Sequence, residues 1–487
     1  MESFTVMSLT SDTIRFGHIS DMERVLQVED DPRLANMVCP ETDMLLWPMV
    51  RTPFLRLILS DLLYETPIPT GRGAGRIDQI QGLVQAELHN KFKGKMRGEI
   101  TIRASAIGSN TKEGLLFNRL SDYFVDQDPQ GTVVLEDLGG RVMPQNRYNS
   151  RVLYHDPILV RATIAARLNA KQHYQTATDL VDLLETRAKC ELGWTLSAAN
   201  RDWYLALVAR YIARAPRLLS GYKALLQKLG TKLLIAEEAC YGNSMVCLIA
   251  AARELGIPSA EYQHGMVSRG HDAYALAPTL AASPAYRKML PDYFLGYGRW
   301  WNAQLKVPVL PVVIGNPHGD AMRANIHHGT SIKTDVLILG DGIESDTYIN
   351  FAQKLASQLP KQQIIFRPHP QERSYFSSKY RTGQMGSVKI DQNPDIYSSL
   401  NAAHAVVSEM STGLFEAVGL ADRVLMWATP KANFYLPSHP FETFSDVEAL
   451  VKALSVPCTR PLEWTVDDIW APNWQENYRS FIQEVIR

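Results

Sequence analysis

Residues 335–370 read DVLILGDGIESDTYINFAQKLASQLPKQQIIFRPHP, and this stretch decides the fold. Asp335-Val-Leu-Ile-Leu339 is a short apolar run followed by Gly340-Asp341-Gly342. Phe351, Leu355 and Leu359 then recur every four residues, the spacing of one face of an amphipathic helix. Gln363-Ile-Ile-Phe366 is a second apolar run, ended by Arg367-Pro368. Downstream the same rhythm predicts strands at Val388–Ile390, Ala405–Ser408 and Arg423–Trp427, with helices over Asp395–Ala402, Gly413–Leu420 and Val447–Leu454. Strands alternating with helices at this spacing build βαβ units, so the last third is expected to be a parallel, doubly wound α/β sheet.

Working towards the N-terminus, the pattern is less regular. Thr132–Leu135, Lys232–Ala236, Ser259–Gln263 and Tyr293–Leu295 read as strands, with a helix over Ser244–Leu255. Between Ile158 and Leu229 the pattern is helical with few breakers, a helical insertion or layer within a first α/β domain. The apolar run Met44–Leu46, closed by Trp47-Pro48, reads as the first strand of that domain. Val309–Asp320, with Gly315-Asn316-Pro317-His318-Gly319 at its end, suits a chain crossing between domains. The boundary is therefore placed near residue 325: an N-terminal domain over 1–325 with its helical segment at 158–229, and a C-terminal domain over 326–487. The tail from Trp470 to Arg487 is helical and aromatic-rich and is expected to pack back on the first domain. Trp300-Trp301 is expected in the core near the crossing.

The bulk numbers agree with two domains. The chain has 487 residues, 46% hydrophobic and 21% charged, ordinary for a folded globular protein. A net charge of −1 implies no general affinity for nucleic acid. Cys39, Cys190, Cys240, Cys247 and Cys458 form no CxxC pair, and five is an odd count, which points to a reducing cytoplasm. Met1–Arg15 has no signal-peptide pattern, and Leu233–Ala252, the longest apolar stretch, is interrupted by Glu237, Glu238, Gly242 and Asn243. Any membrane contact is expected to be peripheral. Lys91, Lys93, Lys95 and Arg97 make a short basic run that suits an anionic membrane face or an acidic glycan, though such a run is more often a solvated loop.

In a parallel sheet the carboxyl ends of the strands face the ligand crevice. Arg367 and His369 follow one such end, stiffened by Pro368 and Pro370. A cationic, hydrogen-bonding pair there suits a phosphate, although a plain strand-ending turn fits the same residues. Ser411 and Thr412 fall between a strand and a helix, where hydroxyls and free N–H groups either take an anion or merely cap the helix. Glu416, one turn on, lies where a carboxylate meets ribose hydroxyls or solvent. Gly340 and Gly342 let the backbone approach a donor, with Asp341 capping the next helix. No GxxxxGK[ST] occurs, which argues against a P-loop kinase. No HxxxH or Cys/His cluster has ligand spacing and no DxD triplet lies at a strand end, so neither a metal nor another cofactor is expected.

His369-Pro370 and Ser411-Thr412 resemble the two motifs shared by bacterial sialyltransferases, polysialyltransferases and capsule Kdo transferases, surface-polysaccharide enzymes of the GT-B fold. The layout is also similar to that of CDP-glycerol glycerophosphotransferases. The resemblance spans roughly residues 230–430 as motifs and spacing. It implies two Rossmann-like domains and a nucleotide-sugar donor held by the C-terminal one, with a cytidine nucleotide and an ulosonic sugar such as Kdo or a sialic-acid-like sugar favoured. It also implies a glycan or glycolipid acceptor. The His-Gly of Glu261-Tyr262-Gln263-His264-Gly265 resembles that of the teichoic-acid polymerases, which implies that His264 is the catalytic base. Glu238, beside Glu237, is the second candidate, and Glu136-Asp137 competes. Glu136-Asp137-Leu138-Gly139 departs by one inserted residue from the acidic-acidic-Gly motif of polysialyltransferase-like enzymes. Other readings remain open: a polyol-phosphate transferase using CDP-glycerol, an enzyme like the UDP-GlcNAc 2-epimerases, or a non-enzymatic glycan-binding assembly protein.

Overall fold

A computed structural model of the chain describes residues 15–64, 76–105, 109–139, 143, 144, 146–326, 333, 335–370, 372, 373, 376, 380, 385–457 and 464–486. The first half holds β1 (Ile100–Arg103), the antiparallel hairpin β2 (Ser109–Lys112) and β3 (Leu115–Asn118), β4 (Thr132–Glu136), β5 (Val152–Tyr154), β6 (Leu233–Ala236), β7 (Ser259–Tyr262), β8 (Tyr293–Gly296) and β9 (Leu310–Val313). Apart from the hairpin these form one parallel sheet in the order β5-β4-β1-β6-β7-β8-β9. The second half holds β10 (Val336–Leu339), β11 (Ile364–Arg367), β12 (Lys389–Ile390), β13 (Ala405–Ser408), β14 (Arg423–Trp427) and β15 (Glu442–Phe444), parallel throughout, in the order β12-β11-β10-β13-β14-β15.

Both sheets wind outward in one direction from a central strand and then jump to its other side. The chain is thus two Rossmann-like α/β domains, as in the GT-B fold, with switch points between β1 and β6 and between β10 and β13. The physical cause is plain in β10, Val-Leu-Ile-Leu, and β6, Leu-Leu-Ile-Ala, which are buried along their whole length. A strand covered by helices on both faces has no polar side to show.

The jump from β5 to β6 is made by three helices, Asp156–Asn169, Tyr174–Leu192 and Ala198–Leu229. The last buries Tyr204, Val208, Ile212, Tyr222 and Leu226 along one stripe, is capped by Ser197 and ends at Gly230 in the left-handed region. The helical segment is thus the crossover layer of the first sheet.

Two expectations need correction. Met44–Leu46 is not a strand; a helix runs from Trp47 to Leu63. Trp47, Val50, Phe54, Ile58 and Leu62 are buried at three- to four-residue spacing, and Pro48 sits in the first turn, where its missing N–H costs nothing. Val309–Asp320 is not a bare crossing either. It contains β9, which pairs with β8, and the start of the helix Pro317–Ala324.

Among the described residues the halves touch at several aromatic contacts. Trp300 and Trp301 are buried with their ring centroids 4.7 and 4.4 Å from Phe415 of the second half. Elsewhere Phe16 stacks on Phe434, and the Tyr64 hydroxyl donates to the Tyr435 hydroxyl at 3.1 Å. The helix Trp474–Val485 lies against the first half, with Tyr478 4.6 Å from Phe124 and Phe481 5.3 Å from Tyr293. Among the described residues no helix is long and apolar enough to cross a membrane. Cys39, Cys190, Cys240 and Cys247 are unpaired, and Cys458 lies outside the described residues.

Candidate active site

At the switch point of the second sheet, the chain leaves β10 through Gly340, where a Cβ would come within 2.9 Å of the Phe366 ring. Asp341 Oδ1 then accepts from the N–H groups of Ile343 and Glu344, both at 2.9 Å, closing a tight turn. Gly342 has φ +80°, and a Cβ on it would stand 2.8 Å from His369 Nδ1. His369 therefore lies directly over the glycine backbone, which unites the ends of β10 and β11 in one surface. Burial lowers the pKa of His369, and Asp341 opposes that shift. A neutral imidazole is favoured, able to donate one hydrogen bond.

Lys431 reaches the same place from the helix Pro430–Tyr435. Its buried ammonium meets Asp341 at 2.9 Å and Glu409 at 2.8 Å, and it also contacts Glu344. Burial opposes its charge, but Glu409 and Asp341 outweigh burial and hold its pKa above the ordinary lysine value. Asp341, Glu344 and Glu409 come close enough to hold a metal ion, yet the lysine already supplies the cation. Asp341 thus braces the loop with its side chain.

Beyond β13, Ser411 Oγ accepts from Gly413 N at 3.1 Å, the capping role, at the head of a helix only six residues long, Thr412–Ala417. Glu416 accepts from the Tyr397 hydroxyl at 3.3 Å. Burial raises its pKa, while Arg119 and Arg323 pull it down. Arg367, expected to meet a phosphate, is held at one end of its guanidinium, and its charge acts on Glu416. Its Nη1 donates to Asp391 and to the Asn393 carbonyl, so it braces the loop after β12.

At the switch point of the first sheet, Glu237 accepts from Ser105 N at 2.6 Å and from Ser105 Oγ at 3.1 Å, tying β6 to the end of β1. Glu238 has φ +61°, a conformation that costs a glutamate strain and is worth noting at a strand end. Glu237, Glu238 and His264 each place one ligating atom within 4.8 Å of the others. The two candidate bases, read from separate segments, therefore converge. Two carboxylates and an imidazole could also take a divalent cation. His264 Nδ1 is buried with no hydrogen-bond partner among the described residues. Behind it Glu261 accepts from Cys240 N at 2.6 Å and from the Tyr274 hydroxyl at 2.8 Å. Burial raises the pKa of Glu261, and His264 opposes it.

The competing pair is committed to other work. Glu136 is buried against Arg147 at 2.9 Å and Asn118 at 3.0 Å, while Asp137 meets Arg103 at 3.1 Å. Gly140, beyond it, lies outside the described residues.

Three further residues face this region and were not singled out in the sequence. Arg119, just after β3, has no hydrogen bond or ion pair among the described residues, and its charge is felt by Glu416, Tyr297 and Tyr397. Burial opposes that charge, and Tyr297 and Glu416 more than compensate, raising its pKa. His318, at the start of the helix after β9, lies 3.4 Å from the Tyr123 hydroxyl and is pushed down to about 4 by burial and by Arg119. Arg56 lies over the Tyr241 ring, 3.4 Å from Asp272. An arginine in a turn carries no periodic signal. His318 did stand in the Gly315–Gly319 stretch, and its position after a strand was the clue.

No family model matches the sequence, and no curated protein matches it. Among solved structures, the chain is similar to a UDP-GlcNAc 2-epimerase from Methanocaldococcus jannaschii (10% identity, 79% of this chain and 99% of that one, TM-score 0.43). It is also similar to the S. aureus protein MnaA solved with UDP (12% identity, 80% and 96%, TM-score 0.45). A third likeness is to the wall teichoic acid polymerase TagF (10% identity, 84% and 93%, TM-score 0.37). At these TM-scores none of the likenesses bears on chemistry.

Proposed function

We propose that this chain is a glycosyltransferase that takes a sugar from a nucleotide-activated donor at the β10/β13 switch point and passes it to an acceptor hydroxyl at the β1/β6 switch point. The observation that carries the reading is the convergence of His264, Glu237 and Glu238 at one switch point, with His369 seated over the Gly340–Gly342 turn at the other. A general base and a separate hydrogen-bond donor are what a displacement at an anomeric carbon requires.

In this reading His264 removes the proton of the acceptor hydroxyl, with Glu238 second in line for that role. The oxygen attacks the anomeric carbon, and the bond from that carbon to the nucleotide phosphate breaks. His369, Ser411 and Thr412 meet the charge growing on the phosphate, the Gly340–Asp341 backbone approaches the donor, and Glu416 takes its hydroxyls. The resemblance of His369-Pro370 and Ser411-Thr412 favours a CMP-linked ulosonic sugar passed to a bacterial surface glycan. Arg119 supports that choice: a partly buried guanidinium without an ion-pair partner suits the carboxylate that an ulosonic sugar carries.

The test is a melting-temperature screen with CMP, CDP, UDP and GDP, since a ligand of the folded state stabilises it by about 2.7 kcal/mol at a hundred times its Kd. CMP is expected to stabilise the protein, and His369→Ala to lose that response. His264→Ala should keep the response and lose turnover, and turnover should survive a chelator. Stabilisation by UDP alone overturns the cytidine donor. Conversion of a nucleotide sugar without acceptor indicates an epimerase. Polysaccharide binding with no nucleotide response removes the enzymatic reading.

A further inference from the structure

On the helix Arg76–Phe92 three polar side chains face the protein: Gln85 accepts from Met143 N at 3.0 Å, the His89 ring meets the Val152 carbonyl at 2.8 Å, and Asn90 bonds both Tyr154 N and Tyr154 O. The His89 and Asn90 bonds cap β5, the edge of the first sheet. Ala86 is buried, but four larger apolar side chains point outward at every fourth position: Ile80 is 65% exposed, Val84 53%, Leu88 62% and Phe92 88%. Water-facing helices carry the opposite pattern, and a continuous exposed apolar stripe marks a surface that docks on something.

The same face is basic. Phe92 borders an open cavity of about 780 Å³ lined by Lys91, Lys93, Lys95 and Arg151. A smaller cavity, about 190 Å³, runs from Lys91 and Lys93 to Arg161 and Ile158. It leads to a third, about 510 Å³, bordered by Ile164, Leu168 and Arg217, where Ile164 and Leu168 are also exposed. The acids in this region are engaged: Glu87 with Arg161 at 3.1 Å, and Asp126 with the Tyr148 hydroxyl.

We propose that this face, built on Arg76–Phe92 and Asp156–Asn169, docks on an anionic lipid bilayer. The apolar stripe enters the boundary between headgroups and acyl chains, and the lysines meet lipid phosphates. A second copy of the chain would set lysine against lysine, and a soluble polyanion would leave the apolar stripe without a partner. The proposal is independent of the donor-site reading.

Flotation of the full chain with vesicles tests it. The protein is expected to float with phosphatidylcholine mixed with phosphatidylglycerol and not with phosphatidylcholine alone, and added salt should weaken the binding. Leu88→Gln/Phe92→Gln, and separately Lys91→Glu/Lys93→Glu/Lys95→Glu, should each lower the bound fraction at least about tenfold with the melting temperature unchanged. Should the first pair lower the melting temperature, Ile80→Gln/Val84→Gln on the same stripe replaces it. Unaltered flotation of the apolar variants overturns the proposal. So does absence of flotation, whether accompanied by a dimer that Phe92→Gln dissociates or by binding to a soluble polyanion that needs only the lysines.

Discussion

His271 and His318 stand in the first half of the chain, each pushed down to about 4, the first by burial against the opposing pull of Asp272, the second by burial and Arg119. Both are neutral in the folded protein across the range in which an unfolded histidine, at 6.5, takes up a proton. The unfolded chain therefore binds more protons as the pH falls from 6.5 towards 4, and the stability present above 6.5 is lost over that window. The full difference is on the order of 3 kcal/mol per histidine. Urea denaturation is expected to give a stability that is level above about pH 7 and declines below it. His318→Gln should have a shallower decline, with about one proton fewer taken up on unfolding. A slope identical to that of the unaltered protein would show that His318 is not held neutral.

At the scale of elements, the turn Gly340–Gly342 joins the end of β10 to the ring of His369. Ala at 342 meets two penalties: a left-handed φ, costing about 1 kcal/mol or somewhat more, and a Cβ 2.8 Å from the imidazole. Gly256 separates them, because its φ is +69° with nothing within 4 Å of the added Cβ. Both substitutions should destabilise the protein, Gly342→Ala by the larger amount, but only Gly342→Ala should lose the nucleotide-induced rise in melting temperature. Equal nucleotide responses would detach His369 from the donor site. This turn was legible in the sequence because β10, β11 and β13 are short buried apolar runs with glycine, proline or serine at their ends. β1 was not. Thr101 and Arg103 interrupt Ile100-Thr-Ile-Arg103, and they are tolerated inside because Thr101 bonds Thr231 at 2.7 Å and Arg103 pairs with Asp137. β9 was hidden by Pro311, which an edge strand can accept. The meeting of His264 with Glu237 and Glu238 depends on neighbouring strand ends, and the place of Arg119 on the turn after β3, so neither shows in linear spacing.

At the scale of the whole molecule, the last segment ties the two sheets together. Trp470 Nε1 donates to the Phe415 carbonyl of the second half at 3.0 Å, while its ring lies 5.5 Å from Tyr297 of the first. The helix that follows buries Trp474, Tyr478 and Phe481, and Asn477 donates to the Ile314 carbonyl at 3.0 Å. The helix Trp474–Val485 is therefore part of the first domain's core. A chain threaded through both cores has reason to unfold as one unit, and a ligand of either half then stabilises both. Calorimetry is expected to show one transition that a donor-site nucleotide raises as a whole. Tyr478→Ala with Phe481→Ala removes two buried aromatic side chains, at about 3–5 kcal/mol for a residue such as phenylalanine. With its closing helix loosened, the first domain should melt earlier, in a separate transition that nucleotide leaves in place, while the second domain still responds. A variant that keeps a single transition, raised in full by nucleotide, would place the coupling at Trp300, Trp301 and Phe415 instead.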